Sequence, residues 1–166
     1  MRGVPVVVDI NVLVAAVVSD DEDADFESFP SPPPVRGDAN STVVGILNDA
    51  RESALWLSPH IVDGVHRVLT SRDGFGWDRA NADRYCGILE RIAARSGGGV
   101  IHPRVRVTDC DDWEDNRILE LAVASGALLI VSNDDDLQRM SPWRGIPVLS
   151  ARDFVARIDA VRRQSR

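Results

Sequence analysis

Near its start the chain reads Val4-Pro5-Val6-Val7-Val8-Asp9-Ile10-Asn11, an apolar run that stops at a carboxylate. The β-branched residues from Val6 to Val8 are typical of a strand buried on both faces, and such strands belong to parallel sheets covered by helices. Asp9 follows at the carboxyl end of this predicted strand, where open α/β sheets place their ligands. Two interpretations are open: Asp9 caps the next helix, or it belongs to a metal-binding group of carboxylates.

Beyond this strand, the chain alternates between short apolar runs and amphipathic segments. Further strands are predicted at Ala54–Leu57, Val100–Ile101, Leu128–Val131 and Pro147–Leu149. Helices are predicted between them, including a short first helix from Val12 to Val18, a helix that begins at Ser58-Pro59, and a last helix from Ala151 to Arg163. The alternation predicts an α/β fold with a mostly parallel sheet.

Length and composition predict a single domain over residues 1–166, interrupted by one unusual segment at about 19–40. This segment is rich in acids and proline, which predicts a flexible surface insertion. The net charge of the chain is −7, but six of its 26 acids lie between Asp20 and Glu27. The remaining 20 acids face 19 basic residues, so the bulk charge does not exclude a nucleic acid partner.

Several classes of protein are disfavoured by what the sequence lacks. It has no apolar run of membrane-spanning length and no signal-peptide pattern at Met1-Arg2, and it has only two cysteines, Cys86 and Cys110, so we expect a cytoplasmic protein. The three histidines are scattered, which argues against zinc. All 19 basic residues are arginine, and no P-loop motif is present. The absence of lysine also argues against a receiver domain and a haloacid-dehalogenase-type phosphatase.

Aspartates follow both strongly apolar strands, and others begin a predicted helix. Asp9 ends the first strand, Asp134 and Asp136 follow the strand Leu128–Val131, and Asp115 lies in a helix start that Asp112 is predicted to cap. Because the carboxyl ends of parallel strands share one edge of a sheet, Asp9, Asp115, Asp134 and Asp136 are expected to converge. Crowded carboxylates need a cation, and hard oxygen ligands favour Mg²⁺ or Mn²⁺.

Four segments carry a resemblance to a known family. They are Val8 to Val14, Glu114 to Ala122, Leu129 to Leu137, and Gly145 to Ser150 together with Phe154. In this order and spacing they resemble the PIN-domain proteins, the fold of the VapC ribonuclease toxins. The resemblance implies an α/β/α sandwich of three layers, an acidic cleft that holds Mg²⁺ or Mn²⁺, and cleavage of RNA, single-stranded or structured. It also implies a cognate antitoxin protein as partner, and often dimers.

The resemblance assigns roles residue by residue. Asp9, Asp115 and Asp134 are expected to be the catalytic and metal-binding residues, with Asn11, Ser132 and Asp136 in support. The sequence departs from the family pattern in the helix after Ser58-Pro59, where Gly64 occupies the position of an expected glutamate and Asp63 precedes it. Asp63 is carried as a further supporting residue. This departure keeps open the alternative of a catalytically degenerate PIN-like module that binds RNA or a protein without cutting.

Overall fold

A computed structural model describes residues 3–18 and 38–166 of the chain. The strands of this part are β1 (Val4–Val8), β2 (Ser53–Leu57), β3 (Gly99–Val100), β4 (Leu129–Val131) and β5 (Val148–Leu149). Its helices are α1 (Ile10–Ala15), α2 (Ala39–Asp49), α3 (Pro59–Thr70), α4 (Arg79–Ser96), α5 (Trp113–Ser125), α6 (Asp135–Arg139) and α7 (Ala151–Gln164). None of these helices is long and apolar enough to cross a membrane.

The five strands form one sheet in the order β3-β2-β1-β4-β5, and all four pairings are parallel. The strand β1 lies in the middle, with Val6 beside Leu55 on one side and beside Leu129 on the other. From β1 the chain first moves outward through β2 and β3, then crosses back to β4 and β5. The direction reverses between β1 and β4, and open α/β sheets bind ligands at such a switch point.

This connectivity also distributes the helices over the two faces of the sheet. Right-handed crossovers in opposite directions place their helices on opposite faces, so α2 to α4 and α5 cover different sides. The central strands β1 and β4 are correspondingly buried, with Val7, Val8, Ile130 and Val131 fully inaccessible to water. The predicted α/β/α sandwich with a parallel sheet is therefore confirmed.

Short polar contacts fix the helices that border the carboxyl edge of the sheet. Ser58 caps α3 through its hydroxyl, which accepts from the Ile61 N–H at 3.3 Å, with Pro59 in the first turn as predicted. The buried Tyr85 of α4 donates its hydroxyl to the Leu13 carbonyl at 2.6 Å. This bond links α1 to α4 and holds α1 against the body of the fold.

Several predicted boundaries differ from the structure. The first helix begins at Ile10 rather than Val12, because Asp9 already caps it. Leu128 is 62% exposed, and β4 begins at Leu129. Most of the predicted insertion at 19–40 lies outside the described residues, which exclude 19–37, but its last residues belong to α2, capped by Asp38. The helix α6 was not predicted, because five residues are too few to show a helical period.

Candidate active site

Asp9 lies at the carboxyl end of β1, the middle strand, and is buried to 8% exposure. One carboxylate oxygen accepts from the Ile10 N–H at 2.7 Å, and the other accepts from the Ser132 hydroxyl at 2.7 Å. Burial raises the pKa of Asp9, the two hydrogen bonds oppose that rise, and the nearby charge of Asp134 adds to it. Asp9 thus caps α1 and also lies in the acidic group, so the two interpretations of this residue are compatible.

The turn after β4 brings Asp134 to the same edge. Ser132 is fully buried, and its hydroxyl accepts from the Asp134 N–H at 3.0 Å while it donates to Asp9. Asp134 then caps α6 by accepting from the Asp136 N–H at 2.8 Å. Ser132 therefore fixes the positions of Asp9 and Asp134 relative to each other.

Asn133, in the same turn, ties the loop to its surroundings. Its side chain donates to Asn40 on α2 at 2.7 Å and accepts from the Ala151 N–H at the start of α7 at 3.0 Å. Its own N–H points to the side-chain oxygen of Asn11 at 3.5 Å. Asn11 and Asn133 thus connect the turns that follow β1 and β4.

Asp115 lies at the same edge of the sheet and belongs to the first turn of α5. It is 8% exposed, and Asp112 caps the helix by accepting from the Glu114 N–H at 2.9 Å. Burial, followed in decreasing order by the charges of Asp134, Asp112, Asp9 and Asp136, raises the pKa of Asp115 to about 6. The raised pKa thus reflects first the burial of this carboxyl group and then its closeness to other carboxylates.

These side chains line an open cleft of about 510 Å³. Its acidic members are Asp9, Asp112, Glu114, Asp115 and Asp134, whereas Val14, Val18, Val68 and Phe75 supply apolar surface. Arg67 of α3 is the single basic residue in the lining formed by the described part of the chain, and its guanidinium lies 3.2 Å from Glu114. The cleft therefore carries a strong excess of negative charge.

The structure brings most of the predicted site residues together. Asp9, Asn11, Asp115 and Asp134 line the cleft, and Ser132 lies directly behind Asp9 and Asp134. Asp136 is exposed, does not line the cleft, and pairs with Arg139 at 3.1 Å. Asp63 is exposed on α3 and does not line the cleft, so its position does not support the role expected for it.

Gly64 is buried on the face of α3 that points to α1. A Cβ atom at this position would lie 2.4 Å from Ile10 Cδ1 and 4.0 Å from the Arg67 guanidinium. Position 64 therefore borders the cleft, because Ile10 and Arg67 both line it. In this chain Ile10 and Arg67 occupy that space.

The donor set suits a hard divalent cation, although the carboxylates are engaged elsewhere as they stand. Among residues 3–18 and 38–166, no three His, Cys, Asp or Glu side chains are arranged to hold one metal ion. Both oxygens of Asp9 and one of Asp134 accept hydrogen bonds from the protein. Mg²⁺ is commonly bound by one or two carboxylates together with waters and substrate phosphate, so Asp9, Asp115 and Asp134 provide enough oxygen ligands.

Comparison with known proteins identifies the family. The chain matches the PIN domain over residues 5–136, which run from β1 to the first residues of α6 and include Asp9, Asp115 and Asp134. It belongs to the PIN-domain family. No curated protein matches the chain. PIN domains are usually nucleases and typically bind divalent metals. Because the chain belongs to this family, it is not a haloacid-dehalogenase-type phosphatase.

Three of the cleft residues for which no site role was predicted are polar or aromatic. Arg67 and Phe75 lie on or after α3, and Glu114 precedes Asp115 on α5. Glu114 begins the PIN-like segment Glu114 to Ala122, but no role was predicted for it. Its position directly before Asp115 was the sequence signal that could have identified it as a cleft residue. Arg67 lies one helical turn after Gly64, so the departure at position 64 pointed to this face of α3.

Proposed function

We propose that this PIN-domain protein is a divalent-metal-dependent endoribonuclease and the toxin of a toxin–antitoxin pair. The observation that carries the proposal is the group formed by Asp9, Asp115 and Asp134 at the switch point of the sheet. Two of these carboxylates are buried with a raised pKa, which is unfavourable for an apoprotein and is relieved by a cation. Perturbed acids in a cleft are typical of functional sites.

In this mechanism Asp9 and Asp134 would hold Mg²⁺ or Mn²⁺ directly, and Asp115 would bind it directly or through a water. When bound, such an ion would supply an activated water and neutralise charge on the phosphodiester. Ser132 orients the carboxylate of Asp9 through its 2.7 Å hydrogen bond and limits the carboxylate's rotation. Asn11 and Asn133 connect the two strand-end turns, and the backbone N–H of Asp136 donates to the Asp134 carboxylate and orients it.

The proposed partner is an antitoxin that silences the cleft. An acidic cleft with five carboxylates attracts an arginine, because a guanidinium pairs bidentately with a carboxylate. We expect the antitoxin to place a basic residue near Asp9 and Asp134. Co-expression with the product of the flanking gene should give a stable complex that purifies together, and failure to form one counts against the toxin role.

The nuclease proposal is tested by cleavage of single-stranded RNA in Mn²⁺ with the wild type and with Asp9→Asn. The wild type should cut, and the variant, which keeps its shape but loses a ligand charge, should not. Binding of Mn²⁺ should also raise the melting temperature of the wild type by mass action. Equal cleavage by both proteins would disprove the assignment, because the products would then come from a contaminant or another site.

A second candidate function is a PIN-like module that binds RNA or a protein without cutting. Two observations favour it: Gly64 replaces the expected glutamate, and the described side chains offer no ready three-ligand metal site. The same experiment separates the two candidates. If the immobilised protein binds RNA but cleaves no RNA substrate at any Mn²⁺ concentration, the binding module is supported.

A further inference from the structure

The cleft has two chemically different ends along α1. Asp9 caps the first turn of this helix, whereas Val14 in its last turn and Val18 beyond it are apolar. Val68 and Phe75 contribute apolar surface from α3 and the turn that follows it. A metal site accounts for the acidic end alone, so the apolar end needs a separate explanation.

Phe75 is the aromatic residue of this apolar end. It is 48% exposed, an unfavourable state for a ring that borders a cleft with other apolar walls. It lies in a tight turn in which the N–H groups of Gly74 and Gly76 both donate to the Ser71 carbonyl, at 3.1 Å and 2.9 Å. A Cβ at Gly74 would lie 2.3 Å from the Val68 carbonyl oxygen, so the turn requires glycine to pack this closely. The ring is therefore presented on a constrained turn.

Arg67 of α3 lines the cleft together with Val68 and Phe75, and its guanidinium contacts Glu114 of the acidic end at 3.2 Å. Its side chain is 61% exposed, and that of its partner Glu114 is 42% exposed. Exposed ion pairs of this kind contribute little to stability, so the guanidinium can leave Glu114 for another anion at small cost. A phosphate is a suitable anion, because guanidinium binds it bidentately.

We propose that the apolar end of the cleft is a nucleotide subsite, in which Phe75 stacks on an unpaired base and Arg67 binds the adjoining phosphate. The inference rests on the proposed nuclease function and adds which residues would hold the single strand, whose unpaired base is free to stack on Phe75. Stacking of bases on aromatic side chains beside a cationic backbone contact is the usual mode of single-strand recognition. The cleft volume of about 510 Å³ lies within the range of small-molecule binding pockets.

The test measures equilibrium binding of a fluorescent single-stranded RNA and of the corresponding duplex, in Mn²⁺. The Asp9→Asn background prevents cleavage, and wild-type cleavage is measured separately. Phe75→Leu keeps apolar bulk but loses the aromatic face, so single-strand binding should weaken roughly tenfold, and Phe75→Trp should retain it. Arg67→Ala should reduce the slope of log affinity against log salt by about 0.7, the value for one phosphate contact on a single strand.

Matched controls come from outside the cleft. Leu128→Ala removes an exposed apolar side chain at the opposite edge of the sheet and should leave the affinity unchanged. Arg157→Ala removes an exposed arginine of α7 and should leave the salt slope unchanged. Melting temperatures within a few degrees of the parent protein would show that each variant is folded.

The outcomes separate the subsite from the nuclease function. If the wild type cuts RNA but Phe75→Leu and Arg67→Ala bind as the parent does, the subsite is wrong and the nuclease proposal stands. If binding depends on Phe75 but nothing is cut, the subsite stands and the nuclease proposal fails. Absence of single-strand binding, equal sensitivity of duplex binding to Phe75→Leu, or a Phe75 effect on a protein partner only would each overturn the subsite.

Discussion

Two groups of carboxylates lie at opposite edges of the same parallel sheet. At the amino edge, Arg162 of α7 reaches Glu52 at 2.7 Å and Asp49 at 3.1 Å. At the carboxyl edge, Asp9, Asp115 and Asp134 have no guanidinium partner among residues 3–18 and 38–166. The hydrogen bond from Arg162 lowers the pKa of Glu52, whereas burial raises the pKa of Asp9 and of Asp115.

Only one of the two edges holds its carboxylates in an electrostatically unfavourable arrangement. A carboxylate whose pKa is lowered adds stability at neutral pH, and one whose pKa is raised subtracts it. The amino edge therefore stabilises the fold, and the carboxyl edge weakens it in the absence of a cation. Buried carboxylates without a cationic partner are expected at a site where a bound ligand supplies the positive charge.

The largest expected effect comes from the same substitution made at each edge. Asp9→Asn and Asp115→Asn should each lower RNA cleavage by more than about a hundredfold, because each removes a proposed ligand charge. Asp49→Asn should leave the cleavage rate of the folded protein unchanged. Steady-state cleavage in Mn²⁺ measures both, and a comparable loss of rate from Asp49→Asn would remove the distinction between the edges.

The next effect is on stability at the amino edge. Arg162→Ala leaves Asp49 and Glu52 facing each other while partly buried, and should destabilise the fold by about 2 kcal/mol. For a chain of this length that corresponds to a fall of roughly 4–8 °C in melting temperature. Thermal unfolding measures it, with exposed Arg157→Ala as the control. An unchanged melting temperature would mean that the amino-edge pair is as weak as an ordinary surface pair.

The two edges also differ in how far the sequence predicts them. Asp9 and Asp134 follow apolar strands, and parallel pairing of β1 with β4 brings such strand ends together. The position of Asp115 was also predictable from local sequence, because Asp112 marks the start of the helix three residues earlier. The fold class and the acidic edge thus depend on short-range patterns that a single sequence contains.

Contacts between distant segments were not predictable in this way. Arg162 and Glu52 are 110 positions apart, and Arg67 and Glu114 are 47 apart. The residues around each arginine do not indicate which acid it contacts, because several other arginines lie in similar exposed helical segments. The same limit applies to Phe75, whose place in the cleft depends on how the turn after α3 packs beside α1.

A smaller effect concerns the pH dependence of stability without metal. The pKa of Asp115 is about 6 in the fold against 3.8 as the ordinary value, so the folded state binds more protons between these limits. Stability should therefore fall as the pH rises from 4 to 7. The full shift corresponds to about 3 kcal/mol, and screening in the open cleft reduces it to about 1 kcal/mol.

Melting curves in chelator between pH 4.5 and 7 measure this slope. Asp115→Asn should flatten it and raise the melting temperature at pH 7, and saturating Mn²⁺ should also remove it. Glu52 contributes little in this window, since its lowered pKa makes its stabilisation complete above about 4.5. A stability that rises with pH up to 7 would show that the carboxyl edge is compensated after all.

The smallest expected effect is produced by adding an acid to the uncompensated edge. In Gly64→Glu the new Cβ meets Ile10 Cδ1 at 2.4 Å, and this atom is the free end of a flexible side chain that can rotate away. Replacing glycine within a helix recovers up to about 1 kcal/mol, which offsets the crowding. The net change in stability should therefore be within about 1 kcal/mol.

The carboxylate introduced by Gly64→Glu would reach the group around Asp9 and pair with Arg67 in the absence of metal. It should strengthen Mn²⁺ binding severalfold, with a matching rise in cleavage at low Mn²⁺. Calorimetric titration of Mn²⁺ measures the affinity. Gly64→Ala isolates the steric contribution, and Gly64→Gln provides the same length without charge. If Gly64→Gln and Gly64→Glu bind Mn²⁺ equally, the gain does not come from the carboxylate, and position 64 does not belong to the acidic edge.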